Sequence, residues 1–323
     1  MPEIAILDDY QNLALSLADW QSIPDAKITV FDKPFASEDE AAEKLAPFEI
    51  LSTMRERMEW PDSLFRRLPN LKLLCITGLH QRLLDQAAAT ARGVIVSHTT
   101  AGASVPATVE LCLALILAGA RNVAREDREM RAGRWQTALG MTLHGRRLGV
   151  VGLGRIGARV AALAAALGME LVAWSPNMSA EAAAAHGAHL VDKETLFRTS
   201  DVVSLHLVLG DRSRHVVGAQ EFGWMQPHAT LVNTSRGPLI DEAAMIAAMR
   251  QRKIASVALD VYDTEPLPAD HPLRKLDNVV LSPHQGFVTH DVYTTWYADT
   301  VENIRAYLAG APVRVLNADV MTR

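Results

Sequence analysis

The segment Leu148–Gly157, LGVVGLGRIG, constrains this chain of 323 residues more than any other. A short apolar run enters a turn with glycines at 152, 154 and 157, and an Ala/Leu-rich helical pattern follows. This order predicts a strand, a tight turn and a helix N-terminus, which together favour the pyrophosphate of a dinucleotide. Gly152 permits the turn, Gly154 allows the backbone to approach the phosphates, and Gly157 lets the helix pack close to the strand. A glycine turn in an α/β protein without a nucleotide is the alternative interpretation.

Apolar runs alternate with helical patterns on both sides of this motif, which is typical of parallel α/β sheets. Ahead of the motif, five runs predict a five-stranded α/β domain: 4–7, 28–31, 49–53, 71–77 and 94–98. From the motif onward, seven runs predict a doubly wound parallel sheet: 148–154, 170–175, 189–191, 202–207, 229–235, 256–261 and 278–282. The sequence therefore predicts two α/β domains.

The pattern over 104–134 predicts one long helix, with Ser104 as its N-cap, an apolar first half and a charged second half. A loop is expected over 135–145. The amphipathic pattern over 288–308 predicts a last helix that ends at Gly310. Because the strand count is complete by then, this helix is expected to return to the first domain. We therefore expect a discontinuous first domain, 1–98 and 289–323, and a dinucleotide-binding domain, 99–288, that includes the helix 104–134.

Composition excludes several classes of function. The formal net charge is −5, with 32 basic and 37 acidic residues and no basic block, so nucleic acid is not expected as a partner. The longest apolar run, 109–120, is interrupted by Glu110 and is too short to span a bilayer, so no membrane association is expected. The first residues lack the features of a signal peptide, and a cytoplasmic location is expected. Cys75 and Cys112 lie in apolar stretches, and no His/Cys/Asp cluster has metal spacing, so no metal is expected.

The end of the second strand after the glycine motif leaves the choice of dinucleotide open. NAD-binding folds place a carboxylate there, which hydrogen-bonds the ribose diol. Here the position holds Ser175, followed by Pro176. A serine binds a 2′-hydroxyl without repelling a 2′-phosphate, yet the segment SPNMS contains no arginine to bind that phosphate. NAD and NADP both remain possible, and we expect NAD slightly more.

Three later segments contain the residues with the clearest chemistry: NTSRGPLID (233–241), DVYDTEP (260–266) and SPHQG (282–286). Because the carboxyl ends of parallel strands meet at one edge of a sheet, Arg236, Glu265 and His284 are expected to converge there. An arginine binds a carboxylate bidentately, and a histidine transfers protons near neutral pH. A glutamate on the second ring nitrogen fixes the histidine tautomer and supports the imidazolium.

These motifs, in this order, with the mid-chain glycine motif and an interrupted first domain, resemble the D-isomer-specific 2-hydroxyacid dehydrogenase family over nearly the whole chain. The family includes glyoxylate/hydroxypyruvate reductase-like and phosphoglycerate dehydrogenase-like enzymes. The resemblance implies a Rossmann-type doubly wound sheet inserted into a discontinuous flavodoxin-like α/β substrate domain. It also implies hydride transfer between NAD(P)H and a small 2-keto acid, giving a D-2-hydroxy acid. Arg236 would bind the substrate carboxylate, His284 would act as general acid and base, and Glu265 would support His284.

The resemblance implies further contacts. Backbone amides near Gly78 and Leu79 would bind the substrate carboxylate. The loop 54–57, with Arg55 or Arg57, would set side-chain specificity. Asp260 would contact the nicotinamide carboxamide. The full set of expected cofactor contacts is Gly152, Gly154, Arg155, Ile156, Gly157, Ser175, Pro176, His206, Leu207, Val208, Ser213, Thr234, Ser235, Asp260 and Gly286.

The chain departs from the family in one segment of the expected cofactor site. The segment 206–213 lacks the proline and threonines of the family's adenine pocket, which weakens the expectation for contacts with the adenine side of the cofactor.

The family is typically a homodimer, and we expect the interface at the charged half of 104–134 and the loop 135–145.

Alternative functions are less consistent with the sequence. Glu265 argues against the formate dehydrogenase branch, which has glutamine at this position. A non-catalytic protein of the same fold that senses dinucleotides is the rival from another class. Six other histidines are expected to be structural: His80, His98, His144, His206, His271 and His290.

Overall fold

The structure, a computed structural model, describes residues 1–79 and 81–322, so the expectation for His80 lies outside the described residues. The chain divides into two compact units. The first unit comprises Met1–Ala103 and Thr289–Arg323, and the second comprises Ser104–Val288. Residues 99–103 lie in the first unit, because the amide and hydroxyl of Thr100 both donate to Asp299 Oδ2, at 2.8 and 2.7 Å.

The first unit contains a five-stranded parallel sheet. Its strands are β1 (Glu3–Ile6), β2 (Lys27–Val30), β3 (Ile50–Thr53), β4 (Leu73–Ile76) and β5 (Ile95–His98). All five predicted strands are present. Their spatial order is β2-β1-β3-β4-β5, which is the flavodoxin-like order. In this order the sheet changes direction between β1 and β3, and ligands of such sheets bind at that point.

Short helices connect these strands: α1 (Ala14–Leu17), α2 (Glu38–Leu45), α3 (Asp62–Phe65) and α4 (Gln86–Ala91). Ser37 caps α2, since its Oγ accepts a hydrogen bond from the Glu40 amide at 3.2 Å. The inward faces of these helices, including Leu45 and Phe65, pack with Leu51 and Leu74 of the sheet. Burial of these apolar faces fixes the register of the strands and so the positions of the loops that follow them.

The second unit contains a seven-stranded parallel sheet. Its strands are β6 (Arg147–Val151), β7 (Glu170–Trp174), β8 (His189–Leu190), β9 (Val202–Leu205), β10 (Thr230–Asn233), β11 (Ser256–Leu259) and β12 (Val279–Leu281). All seven predicted strands are present. The order β12-β11-β10-β9-β6-β7-β8 is that of a Rossmann fold with one extra strand, and its switch point lies between β6 and β9.

The helices of this unit are α5 (Ser104–Arg121), α6 (Val123–Arg131), α7 (Gly157–Ala166), α8 (Ala180–Ala184), α9 (Lys193–Thr199), α10 (Ala219–Trp224) and α11 (Glu242–Arg250). The prediction of one helix over 104–134 is wrong. Asn122 has φ +53° and separates α5 from α6. The following loop packs back at this point, because the Asn122 side chain donates to Leu139 O and the Met141 amide donates to Ala120 O.

By length and composition alone, α5 is apolar enough to cross a membrane. In the structure, however, it packs against β10 and β11. Cys112 and Ile116 are fully buried, and a Cβ at Gly119 would lie 2.8 Å from Thr230 Cγ2. Helix α5 is therefore a core helix of the second unit.

The last helix, α12 (His290–Leu308), belongs to the first unit. Thr289 caps it, so it begins two residues later than predicted. Trp296 Nε1 donates to Thr100 O at 3.0 Å, and Asn303 Nδ2 donates to His98 O at 3.0 Å. Four short 3₁₀ helices complete the fold: Trp20–Ser22, Gly237–Leu239, Pro272–Lys275 and Ala318–Thr322.

Candidate active site

The glycine turn joins β6 to the N-terminus of α7. Gly152 has φ +98°, a conformation that side-chain-bearing residues rarely adopt. A Cβ on Gly157 would lie only 2.1 Å from Gly152 O, so the first turn of α7 packs directly on the strand end. A Cβ on Gly154, in contrast, would meet no described atom within 4 Å. The backbone at Gly154 is therefore open to a ligand.

Several observations fit a bound dinucleotide at this turn. Gly154 and Arg155 are exposed beside the N-terminus of α7, where backbone amides and the helix dipole favour phosphate. Thr234, at the end of β10 two strands from β6, is buried, and, its interaction with the Cys112 thiol aside, its Oγ1 has no hydrogen-bond partner among the described residues. A buried unpaired hydroxyl is destabilising unless a ligand or water satisfies it.

The end of β7 holds Ser175, which is half-buried, and Pro176, which is exposed. The nearby Lys193 Nζ lies 5.8 Å from the Trp174 ring centroid and forms a 2.7 Å ion pair with Glu221. The lysine charge is therefore balanced by a buried carboxylate. This leaves Ser175 as the polar side chain at the position where NAD-binding folds carry an acidic residue.

Segment 206–213 forms a compact loop beside the glycine turn. Burial lowers the pKa of His206 to about 4, so its ring is neutral at pH 7, and Nε2 lies 2.9 Å from Ser204 Oγ. Ser213 Oγ donates to Val208 O at 2.7 Å and accepts from the Gly210 amide at 2.9 Å. The Ser213 side chain thus closes the loop, and its predicted cofactor contact stays a prediction.

The same loop is tied to the end of β10. Ser235 Oγ donates to Leu207 O at 2.7 Å, and Leu207 in turn packs 3.0 Å from the position of a Cβ on Gly152. Val208 is exposed. Leu207, Ser235 and the glycine turn therefore form one continuous rim at the carboxyl ends of the strands.

A histidine and a glutamate meet beyond β11 and β12. His284 Nδ1 lies 2.5 Å from Glu265 Oε2, and Glu265 Oε1 accepts a hydrogen bond from the Tyr262 amide at 2.9 Å. The Phe287 ring packs edge-on against the imidazole, with centroids 5.6 Å apart. Both oxygens of the glutamate are thus engaged, which fixes the orientation of the imidazole.

The loop that presents His284 is held by Asp260. Asp260 Oδ1 accepts from Ser282 Oγ at 2.5 Å and from the Gln285 amide at 2.8 Å, and Oδ2 accepts from the Gly286 amide at 2.9 Å. Burial raises the pKa of Asp260, and these hydrogen bonds oppose that effect. The geometry therefore gives Asp260 a positioning role, whereas its predicted contact with the cofactor stays a prediction.

Tyr262 is a site residue that the sequence reasoning missed. Its hydroxyl donates to Ser282 O at 2.8 Å, while its amide binds Glu265. One residue therefore positions both Glu265 and the loop that bears His284. Its place within the segment DVYDTEP was the available signal.

Arg236 lies at the end of β10, with an extended backbone (φ −147°). Its Nη1 donates to Ser235 O at 2.7 Å, and Asn233 Nδ2 donates to Arg236 O at 2.8 Å. A Cβ on Gly237 would lie 2.1 Å from the Tyr262 carbonyl carbon, so only glycine allows this close approach. The turn that bears Arg236 is thereby packed against the segment that bears Glu265.

In the first unit, the structure brings Arg55 and Gly78 together. A Cβ on Gly78 (φ +77°) would lie 2.7 Å from Arg55 Nη1, so the guanidinium packs over the glycine. The Gly78 amide donates to Thr99 Oγ1 at 2.7 Å, so this amide is already engaged. Leu79 is half-buried beside it. The predicted binding of a carboxylate by these amides stays a prediction.

Within residues 1–79 and 81–322, no group of three or more His, Cys, Asp or Glu side chains has an arrangement that could hold a metal ion. Cys75 and Cys112 are fully buried, in keeping with the apolar stretches in which they lie. Burial raises the pKa of both thiols, for Cys75 to about 12. Neither thiol is therefore a nucleophile at neutral pH.

The fold and site together define a dinucleotide-dependent oxidoreductase. Residues 113–286 match the family profile described as D-isomer specific 2-hydroxyacid dehydrogenase, NAD binding domain. A glyoxylate reductase of Korarchaeum cryptofilum is 36% identical over 264 residues, which cover 80% of this chain and 79% of that one. A D-3-phosphoglycerate dehydrogenase of Archaeoglobus fulgidus is 35% identical over 280 residues, which cover 86% of this chain and 53% of that longer relative.

A crystal structure of phosphoglycerate oxidoreductase from Vibrio cholerae o395 superposes with a TM-score of 0.90 and 38% identity. The match covers 96% of this chain and 100% of that one. The chain belongs to the D-isomer specific 2-hydroxyacid dehydrogenase family, and it is a D-2-hydroxyacid dehydrogenase.

Proposed function

We propose that this protein reduces a small 2-keto acid to a D-2-hydroxy acid with NADH or NADPH, and catalyses the reverse reaction. In this proposal the first unit is the substrate domain and the second unit is the dinucleotide-binding domain. The observation that carries the proposal is the His284–Glu265 pair, at 2.5 Å, on the same sheet edge as the glycine turn and Arg236. The name glyoxylate reductase of similar relatives supports a small keto acid as the substrate.

Each residue of the pair has a defined task. Because a carboxylate only accepts hydrogen bonds, Glu265 keeps the ring hydrogen on His284 Nδ1 and leaves Nε2 to exchange the catalytic proton. In the reducing direction, Nε2 of the imidazolium gives its proton to the 2-keto oxygen. Glu265 stabilises the imidazolium charge before this transfer.

Arg236 is proposed to bind the substrate carboxylate through its planar guanidinium and to help polarise the 2-keto group. Its backbone is fixed by Asn233, and its turn is packed against Tyr262 through Gly237. This support fixes the backbone from which the guanidinium extends, and the hydrogen bond from Nη1 to Ser235 O helps to orient the guanidinium itself.

The dinucleotide would be held by the glycine turn, the N-terminus of α7 and the rim formed by Leu207 and Ser235, with the Thr234 hydroxyl beside it. When bound, its nicotinamide ring supplies or accepts the hydride. Ser175 is proposed to bind the ribose next to the adenine. With no acidic residue and no arginine in SPNMS, we favour NAD slightly over NADP.

The direct test is oxidation of NADH and of NADPH with glyoxylate, hydroxypyruvate, pyruvate and phenylpyruvate. Turnover of at least one acid, with a D product on a chiral column, is the expected result. Cofactor binding without turnover of any acid would overturn the proposal and favour a dinucleotide-sensing protein. The ratio of kcat/KM with NADH to kcat/KM with NADPH measures the cofactor preference that we attribute to Ser175.

We also propose a homodimer formed through α6 and the loop 135–145. Trp135 is 73% exposed and Leu139 is 98% exposed in the single chain, which is unusual for large apolar side chains in a loop. Light scattering is expected to give twice the mass of one chain. A monomer mass at micromolar concentration would contradict the proposal.

A further inference from the structure

The first unit has a second group of polar side chains at the switch point of its sheet. Strands β1 and β3 are parallel neighbours, and the sheet order reverses between them. Asp8 and Tyr10 follow β1, and the turn 54–57 follows β3. In open α/β sheets, ligands bind outside the carboxyl ends of the strands at such a point. The position alone therefore marks these residues as candidates for ligand recognition.

Asp8 has an unusual environment for a carboxyl group. It is 6% exposed and adopts φ +61°. Its Oδ1 accepts a hydrogen bond from the Tyr10 hydroxyl at 3.2 Å, whereas its buried Oδ2 has no partner among residues 1–79 and 81–322. Burial raises the pKa of Asp8 to about 6, although the Arg57 charge acts in the opposite direction. A buried carboxyl oxygen without a donor is destabilising, so its presence calls for an explanation.

The neighbouring acidic residue behaves differently. Asp9 Oδ1 accepts from the Leu13 amide at 3.0 Å, and Oδ2 accepts from the Ala14 amide at 2.9 Å. Both oxygens of Asp9 are therefore satisfied at the start of α1. Of the four carboxyl oxygens of these two aspartates, Asp8 Oδ2 is thus the one without a partner among the described residues.

The surroundings of Asp8 combine cationic and aromatic groups. The Arg57 guanidinium lies 5.4 Å from the centroid of the Tyr10 ring. On α12, Tyr293 and Tyr297 lie within electrostatic range of Asp8, and burial raises the pKa of both phenols. Tyr297 is 1% exposed, and its hydroxyl has no hydrogen-bond partner among the described residues. Two buried polar atoms without partners among the described residues thus occur in one region, beside several aromatic rings.

We propose that Asp8 is a specificity-determining residue, whose unpartnered oxygen accepts a hydrogen bond from a donor group, such as a hydroxyl, on the side chain of the 2-keto acid. This inference rests on the proposed function. Tyr10 orients the carboxyl group through Oδ1, and Arg57 covers the Tyr10 ring and offsets the negative charge. An acid whose side chain offers no donor would leave the Asp8 oxygen unsatisfied and would be a poorer substrate.

The test compares hydroxypyruvate with pyruvate, which differ by one hydroxyl group, in the wild type and in Asp8→Asn and Asp8→Gly. Both replacements tolerate a positive φ. Asp25→Asn is the matched control, because Asp25 also has a positive φ (+49°) but is exposed. We expect wild type to prefer hydroxypyruvate. We expect the ratio of kcat/KM values to fall about 10- to 100-fold in Asp8→Gly, by at least a few-fold in Asp8→Asn, and not in the control.

A second variant keeps the proposal testable if the Asp8 variants do not fold. Tyr10→Phe removes the hydroxyl that orients Asp8, and its selectivity ratio is expected to fall several-fold, with a smaller effect on pyruvate. An unchanged ratio in all variants that fold, or a wild type without preference for hydroxypyruvate, would overturn the inference and would mean that Asp8 binds a buried water only. A wild type that reduces no 2-keto acid overturns the proposed function itself, so the two failures are distinguished by wild-type data.

Discussion

His284 Nδ1 lies 2.5 Å from Glu265 Oε2, so the second ring nitrogen, Nε2, is the one that the proposed reaction would use. A carboxylate only accepts hydrogen bonds, so the ring hydrogen stays on Nδ1 and Nε2 is left for the proposed proton transfer. Glu265 is itself held by the Tyr262 amide, and the histidine loop is held by Asp260. The pair is therefore held in a fixed, mostly buried geometry, unlike a surface ion pair.

Replacement of His284 by alanine removes the proposed proton donor while leaving the glycine turn unchanged. We expect kcat to fall about 10²- to 10⁴-fold, the usual contribution of a positioned general acid. The dissociation constant for NADH, from fluorescence titration, should stay within about threefold of the wild type. A His284→Ala variant with wild-type kcat/KM on the best substrate would remove the histidine from the mechanism.

Glu265→Gln tests the support of the imidazolium separately from the proton transfer. The amide has the same shape but no charge, so the imidazolium loses its stabilising partner. We expect kcat to fall about 10- to 100-fold, less than in His284→Ala. Because the two residues act as one unit, Glu265→Gln should add almost nothing in the His284→Ala background. Additive effects in this double-mutant cycle would contradict the pairing.

Arg236→Ala is expected mainly to raise KM for the keto acid, because the carboxylate loses its bidentate partner. A lower kcat should accompany it, since the same guanidinium helps polarise the keto group. Arg236→Lys keeps the charge but not the planar fork, and we expect only partial recovery. Steady-state kinetics over a range of keto acid concentrations separates the two parameters. A KM unchanged in Arg236→Ala would exclude this residue from carboxylate binding.

The glycine turn offers a comparison between two substitutions of the same kind. A Cβ on Gly157 would lie 2.1 Å from Gly152 O, whereas a Cβ on Gly154 would meet nothing within 4 Å. We expect Gly157→Ala to lower the melting temperature by several degrees. We expect Gly154→Ala to keep it within about one degree and to weaken NADH binding at least tenfold, because the methyl group would occupy the space of the phosphates. Equal melting temperatures for the two variants would contradict this steric account.

The fold was largely predictable from local patterns. All twelve strands coincide with short apolar runs. Central strands such as β3 and β4 are buried at every residue, and strands buried on both faces of a parallel sheet are continuously apolar, whereas the edge strands β2 and β8 are more exposed. The break at Asn122 was not predictable in this way. It depends on a loop that returns to the end of α5 and bonds Asn122 to Leu139 O, a contact between residues 17 apart in sequence.

The residues of the candidate site also differ in whether the sequence alone predicts them. Arg236, Glu265 and His284 lie in motifs that directly follow strands, so the sequence indicated them. The links made by Asp260 and Tyr262 join segments that are distant in sequence, and only the folded arrangement reveals them. Asp8 belongs to no recognised motif. Its significance comes from the strand order, which places the ends of β1 and β3 side by side.

Asp8 also allows a prediction about stability and pH. Its pKa rises from 3.8 to about 6 in the folded state because the group is buried, so the folded state binds a proton more tightly than the unfolded state. The contribution of the protonated carboxyl group to the stability of the folded state is fully present below pH 3.8 and is lost as the pH rises to about 6. The amide side chain of the Asp8→Asn variant is neutral at every pH. The free energy of unfolding of this variant should therefore exceed that of the wild type by an amount that grows from near zero at pH 4 to about 3 kcal/mol at pH 7.

Urea denaturation of wild type, Asp8→Asn and Asp25→Asn, at several values between pH 4 and pH 8, measures this difference directly. Other titrating groups are common to all three proteins and cancel in the comparison. The exposed Asp25 control should differ from the wild type by the same small amount at every pH. If the difference between Asp8→Asn and the wild type were also independent of pH, the Asp8 carboxyl group would not be the buried and unsatisfied acid that the structure places at the end of β1.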